Sequence, residues 1–451
     1  MRVKSLATLI VFLFATVAQA QTIQLPTIDG STINGISSGD YFGENVLSAG
    51  NMAGSILPDY LIGMRNYPVM SKSGRVYLIP GNDQGNVPVI NASNPPSGST
   101  VFTSQVSGAA CGQLLETAGY YNNDRLKDAI IGCPTAQNYN LVFGQTTYAT
   151  EFDLDKVGTL LPGIKFTGQI ISSIRAGDID KDGYVDIVFN DATTGRFFIY
   201  WGGNTPAMGV VPLNDTTCTV IKYGSSANGK IEIEDLDGNG YLDIAYTNNQ
   251  SGSYYVILNT AVRLVSATID DTFFNGTRGA KVNTNFSNYI YKIGDVNDDQ
   301  IKDLGVRGTL PSSSQQKTAI IFSRKVWPAT VDFNTDTKKT TLIGVNMMGV
   351  GDGKTMTPAG DRNKDGIEDV FISDSYTGRV VCAYSKRAWP STVDLSSAKI
   401  TPSVGFQYVG SIYTGTGISF VENISCGTET GLLIGSPNYG SSIGKAYLAT
   451  K

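Results

Sequence analysis

The 451-residue chain contains no histidine at all. That excludes a histidine-based catalytic triad, a histidine-ligated zinc site and a histidine general base. Charge is also scarce. Only 16% of residues are Asp, Glu, Lys or Arg, and the net charge is −5. No basic run or stripe is present, so neither nucleic acid nor an anionic membrane surface is an expected partner. There are five cysteines and no C-x-x-C spacing, which argues against a thiolate metal site. Beyond the first twenty residues no apolar stretch is long enough to cross a bilayer, and no transmembrane segment is expected. Neither a P-loop nor a persuasive amphipathic helix is found.

What remains is rich in Gly, Tyr, Asn, Ser and Thr, a turn-and-strand composition. Residues 1–20 read as a signal peptide. Arg2 and Lys4 form the positive start, Leu9 to Val17 the apolar run, and Ala18-Gln19-Ala20 the small-residue cleavage site. The mature protein is therefore expected outside the cytoplasm, secreted or associated with the cell surface. In that oxidising setting Cys111 and Cys133, which flank one loop, are the candidate disulfide, and with Cys218, Cys382 and Cys426 at least one thiol is left over within the chain. N-x-[ST] sequons stand at Asn91, Asn214, Asn249, Asn275, Asn285 and Asn423, and mark expected surface of a glycoprotein.

The informative signal is a repeat. Four nine-residue stretches share acids at alternate positions, then a turn residue and a closing acid: Asp178–Asp186, Asp235–Asp243, Asp295–Asp303 and Asp361–Asp369. Oxygens at the first, third, fifth, seventh and ninth positions suit a hard cation such as Ca²⁺, which takes six to eight of them. The candidate ligands are Asp178, Asp180, Asp182, Tyr184 and Asp186; Asp235, Asp237, Asn239, Tyr241 and Asp243; Asp295, Asn297, Asp299, Ile301 and Asp303; and Asp361, Asn363, Asp365, Ile367 and Asp369. Tyr184, Tyr241, Ile301 and Ile367 would contribute only their backbone carbonyls. Three to four Ca²⁺ sites are expected, braces rather than catalysts. Gln300 occupies the sixth position, where the other loops have Gly, and is expected to strain that turn.

Other readings of the acids fit less well. An EF-hand needs a longer loop ending in Glu, with a helix on either side. A glycosidase carboxylate pair must face one cleft, whereas these acids recur at a fixed period. Solvated Asp-Gly turns without metal remain the bland alternative.

Two degenerate loops precede the four, at 51–59 and 120–128, and a seventh unit without a loop falls near 421–430. Each loop leads into an apolar strand, such as Ile187-Val188-Phe189, and then a second one opened by Gly, such as Gly195-Arg-Phe-Phe-Ile-Tyr200. A linker also recurs, as Ala329-Thr-Val-Asp-Phe333 after Trp327-Pro328 and as Ser391-Thr-Val-Asp-Leu395 after Trp389-Pro390; these tryptophans are expected in inter-blade packing. Seven units of about four strands predict an all-β, seven-bladed β-propeller, a single domain over 21–451. Residues near Thr22 to Ile28 are the expected closing strand of the last blade.

Tyr41-Phe42-Gly43, the acidic loops, Ile62-Gly63 and Ile434-Gly435-Ser436-Pro437 resemble the FG-GAP repeat of integrin α subunits, over roughly residues 27 to 450. The resemblance implies a seven-bladed propeller with calcium-binding hairpin loops on one face and partners on the other, in adhesion and recognition. No stalk, transmembrane helix or cytoplasmic tail follows, so the expectation is a propeller-only member without enzymatic activity. Its ligand would be an extracellular protein or a glycan. The alternative is a lectin-like, carbohydrate-binding propeller. A third reading is the propeller of a hydrolase or lyase.

Overall fold

The computed structural model describes residues 21–24, 32–68, 70–81, 90–191, 193–204, 206, 208–224, 229–248, 252–284, 289–309, 316–345, 355–410, 418–421, 431–437 and 443–450. The expected signal peptide, residues 1–20, and the segment 421–430 of the expected seventh, loop-less unit lie outside them, apart from Val421, as does Cys426. Among the described residues the strands form seven five-stranded sheets. In chain order, the first strands of the seven blades are Phe42–Gly50, Leu114–Gly119, Ser173–Gly177, Ile231–Glu234, Tyr289–Gly294, Met356–Gly360 and Ile418–Val421. Each lies beside its counterpart in the next blade, and the last lies beside the first, so the sheets close into a ring.

The blades follow the hydrophobic pattern. Second strands such as Asp186–Asp191 and Asp369–Asp374 are buried along their whole length, because a blade has a neighbour on both faces. Seven apolar clusters result, one in each gap between adjacent blades. A four-stranded blade alone would leave both of these faces in water, so the ring is the unit that buries a core.

The structure corrects the strand count and the closure. Each blade has four antiparallel strands and a fifth, parallel one lent by the next blade. The recurring linker is that lent strand. Glu151–Asp153 pairs with Thr100–Thr103, Thr330–Asp332 with Gly279–Asn283, and Thr392–Asp394 with Lys339–Ile343. The seventh blade is completed by Thr32–Ser38, antiparallel to Ile443–Thr450, and not by residues 22–28. Gln21–Gln24 is instead the strand lent to the sixth blade, parallel to Gly405–Val409. The two termini thus meet inside one blade, and the chain ends seal each other.

Polar ties reinforce the gaps. The buried Trp327 indole N–H donates to the Leu236 carbonyl of the preceding blade at 2.8 Å, and Trp389 does the same to Val296 at 2.7 Å. The tryptophans of the linker motif are inter-blade packing, as expected. Cys111 and Cys133 form a disulfide, with Cα atoms 4.0 Å apart, that pins the connection between the first two blades to a strand of the second. Cys218 and Cys382 are buried and lie outside that disulfide. Among the described sequons Asn91 and Asn275 are exposed and Asn214 is half-buried. No helix among the described residues is long and apolar enough to cross a membrane.

The indole tie is testable. Trp327→Phe keeps the ring and removes the donor, so the Leu236 carbonyl loses its bond at a buried site. Stability is expected to fall by about 2 kcal/mol, read from urea unfolding with an unchanged slope. No change would show that the tie contributes nothing.

Candidate metal centres

Strands alternate in direction within a blade. The first-to-second hairpins and the third-to-fourth connections therefore share one face of the ring. The acidic loops are those hairpins. Their backbone is set by a fixed ladder of hydrogen bonds to their own acids. The first acid accepts from the sixth residue's N–H: Gly183 to Asp178 at 2.9 Å, and Gly240 to Asp235, Gln300 to Asp295 and Gly366 to Asp361 each at 2.8 Å. The third side chain accepts from the fifth N–H, as in Asp182 to Asp180 at 3.2 Å and Asp365 to Asn363 at 3.0 Å. The fifth accepts from the seventh, as in Tyr184 to Asp182 at 2.9 Å and Ile301 to Asp299 at 3.0 Å. These are Asx-type turns, which explains the Asp and Asn at alternate positions even without a metal.

The ninth residue has a second task. Asp186, Asp243, Asp303 and Asp369 are fully buried. In each, one oxygen accepts from the loop's second N–H and the other from the residue that opens the third-to-fourth connection. For Asp186 the donors are Ile179 at 2.9 Å and Gly202 at 2.8 Å, and for Asp369 they are Arg362 and Ser385, both at 2.8 Å. The degenerate loops keep this clamp. Asp59 accepts from Met52, Ala53 and Gly81, and Asp128 from Asn122 and Gly144. The clamp was invisible in the sequence reading, although a buried acid conserved across all six loops of the one chain was its signal.

Carboxylates are brought together to different degrees. Asp178, Asp180 and Asp186 offer oxygens within 4.8 Å of one another, and so do Asp235, Asp237 and Asp243. Ionised oxygens at that spacing repel by about 3 kcal/mol a pair at the effective dielectric of a protein surface. Asp178 Oδ1 is also buried with no hydrogen-bond partner. An unpartnered, buried anionic oxygen inside a carboxylate cluster fits a bound cation and fits poorly without one. In the other two loops Asn297 and Asn363 hold the third position, so three acids are not gathered; an amide oxygen stands in for one. Asp182 is exposed and outside its loop's tight cluster. The Ile301 and Ile367 side chains are buried, leaving only their backbone for a ligand.

Gln300 adopts φ 68°, close to the left-handed turn of Gly183 at 91° and Gly366 at 89°. The turn is kept, and the residue carries the strain. The fourth position is left-handed as well, at Lys181, Asp298 and Lys364.

Burial raises the closing carboxyls against the pull of their backbone bonds. Asp186 is pushed up to about 7, Asp243 to about 8 and Asp369 to about 6. Asp303 is likewise raised well above the carboxylate range, and Asp128, in a loop with few acids, reaches about 7.

No family profile matches the chain. Over 195 residues it is 28% identical to integrin alpha pat-2 of Caenorhabditis elegans, a stretch covering 37% of this chain and 16% of that protein. The Caenorhabditis briggsae integrin alpha pat-2 matches at 28% over 194 residues, with the same 37% and 16% covered. The match thus spans about a sixth of the length of these relatives. Among solved structures, a streptogramin B lyase aligns over 91% of this chain and 94% of its own, with 10% identity and a TM-score of 0.44.

Two outcomes check the site. A raised acid keeps, when folded, a proton that the unfolded chain has released, so its contribution to stability is full below about pH 4 and lost as pH rises through the raised value. In EDTA the melting temperature is therefore expected to fall between about pH 5 and 8, whereas Ca²⁺, which favours the ionised acids, restores it most at the high end. Equal melting curves with and without Ca²⁺ at pH 8 would count against any metal. Separately, Gln300→Gly relieves a left-handed side chain and is expected to add about 1 kcal/mol of stability in urea unfolding.

Proposed function

We propose, from the premise that this chain is an integrin α-like FG-GAP propeller, that it acts in extracellular protein recognition or adhesion. In this reading residues 1–20 direct export, 21–451 form one propeller domain, and the module is not an enzyme. The four acidic loops hold three to four structural Ca²⁺ ions through the alternate acids, the Asn side chains and the seventh-position carbonyls. Cation binding offsets carboxylate repulsion in each hairpin and adds to folding stability.

The observation that carries the recognition role lies on the face opposite the loops. There, residues 70–74 and 105–112 are laced together. Gly108 N–H donates to the Ser71 carbonyl at 2.7 Å and Ala110 N–H to Lys72 at 3.1 Å, and the Cys111–Cys133 disulfide anchors the pair. Met70 is 100% exposed on this braced ridge and Val106 is 43% exposed. Apolar side chains held in water on a hydrogen-bonded backbone support binding of a protein surface.

One feature favours the lectin-like alternative. Two similar cavities lie under the third-to-fourth connections of the fourth and sixth blades, of about 300 and 290 Å³. The first is lined by Leu258, Val262 and Phe273, the second by Tyr384, Trp389 and Lys399. Equivalent pockets repeated between blades are what a sugar-binding propeller would present.

The test is binding of the Ca²⁺-loaded protein to cell-surface proteins and to a glycan array. Met70→Asp with Val106→Asp is expected to cut protein binding at least tenfold while the melting temperature holds. Binding to glycans alone, lost on Trp389→Ala and indifferent to the Met70 and Val106 changes, would replace the protein reading with the lectin one.

A further inference from the structure

The four full loops differ in the number of acids at their side-chain ligand positions. The loop Asp178–Asp186 carries acids at all four side-chain positions, Asp178, Asp180, Asp182 and Asp186. Each of the other three carries three acids and one Asn, at Asn239, Asn297 or Asn363. The extra acid has a partner. Arg263, from the third-to-fourth connection of the next blade, places Nε on Asp180 Oδ2 and Nη2 3.0 Å from Asp182 Oδ2. Its guanidinium stacks on Trp201, 4.6 Å from the ring centroid. Among the described residues no other acid at a first, third, fifth or ninth position makes an ion pair with Lys or Arg.

The position of Arg263 is a specific departure from the repeat. It lies four residues after Asn259, which donates its N–H to the closing Asp243 at 2.7 Å. Four residues after the equivalent Ser323 and Ser385 stand Trp327 and Trp389, whose indoles cap the second carbonyl of the preceding loop. In the fourth blade that cap is made by the Asn259 side chain, whose Nδ2 donates to Ile179 O at 2.7 Å. The residue at 263 is thereby released from capping and turned onto the acids.

We propose that Arg263 is a built-in counter-charge of the Asp178–Asp186 loop, and that it sets the cation affinity of that site. Counted over the first, third, fifth and ninth side chains alone, the guanidinium brings four acids to a net −3, the value that three acids give in each of the other loops; Lys181, at the fourth position, lies over the Tyr241 ring instead. Arg263 takes Asp182, the exposed acid outside the tight cluster, and one oxygen of Asp180, and leaves Asp178, Asp186 and the other Asp180 oxygen for the ion. Fixed positive charge beside a divalent cation weakens its binding, and a rigid guanidinium held by an aromatic face does so without moving away. The proposal rests on the reading that these loops hold Ca²⁺.

Terbium, a Ca²⁺ surrogate, tests it on the full mature chain, because its luminescence can be excited through the neighbouring Trp201. The signal that Trp201→Phe removes reports this loop, and Ca²⁺ displacement of it gives the affinity. Arg263→Gln is expected to tighten Ca²⁺ about tenfold and Asp182→Asn to weaken it about tenfold, while the double variant returns to near the parent value. Arg263→Lys keeps the charge and should stay close to the parent, which guards against misfolding as the cause. An unchanged or weaker affinity in Arg263→Gln, with the parent binding normally, overturns the counter-charge role alone. No terbium or Ca²⁺ binding at this loop in the parent overturns the calcium reading and the proposal with it.

Discussion

Everything in this ring hangs on a buried carboxylate that ties the first-to-second hairpin to the start of the third-to-fourth connection. Asp59, Asp128, Asp186, Asp243, Asp303 and Asp369 are fully buried, and each accepts backbone N–H bonds on both oxygens. One bond closes the first-to-second hairpin on itself. The other fixes the start of the third-to-fourth connection, and that connection continues outward to lend a strand to the preceding blade. A single side chain thus sets the hairpin, the exit angle of the connection and, through it, the register between blades. An acid is suited to this because two oxygens with spare lone pairs can serve several N–H groups at once. A neutral amide offers one acceptor oxygen and would leave an N–H unpaired in the interior.

That division separates two uses of the same residue type. The ninth acid builds backbone and survives in loops that have lost the others. In the first blade Ser55 donates its hydroxyl to Asp59 and to the Leu57 carbonyl, so a neutral group completes the hairpin there. The acids at the first, third and fifth positions are needed for neither the clamp nor the lent strand. The Asx turns they form would be served as well by Asn, so the turn explains the residue type but not the gathered negative charge, and a cation would complete the site. The lent strands solve a separate problem. Each blade would otherwise show a long unpaired outer edge; covering it with two to four residues from the neighbour leaves only a short edge exposed.

The sequence shows some of this plainly and hides the rest for physical reasons. The loops are legible because Asx turns force Asp or Asn onto alternate positions, and the repeat count follows from them. The apolar second and third strands are legible because burial on both faces makes them continuous. Thr32–Ser38 is not, since Asn34, Gly35 and two serines make a poor strand former that only its pairing with Ile443–Thr450 creates. The stretch after residue 20 looks like the better closing strand, yet its Gln21–Gln24 is the strand lent to the adjacent sixth blade. Pairing partners some 400 residues apart leave no local mark. The lent strands are too short for an alternating pattern, so a four-stranded blade is all that periodicity yields. Arg263 and Asp180 lie 83 positions apart, and nothing near either announces the contact.

The likeness of the loops and the unlikeness of the opposite face have one explanation. A hairpin that must present the same carbonyl to a neighbour and the same acid to its own connection is constrained at nearly every position. The carbonyl of the second residue shows this: Ile179, Leu236 and Val296 each receive a donor from the next blade, from Asn259, Trp327 and Trp389 in turn. The donors differ while the geometry is held, so the fold asks for the bond and not for one residue type. Among the described residues the bonds that recur on the opposite face are local to one blade, such as the Thr194 hydroxyl on Asp191 and the Thr377 hydroxyl on Asp374. There the second-to-third connections vary in length, from four residues between Asp191 and Arg196 to ten between Met64 and Arg75, and the longest of these is held by a device of its own, the network beside the Cys111–Cys133 bridge. A surface free of the scaffold's demands is the one on which side chains such as Met70 can be chosen for what they touch outside the molecule.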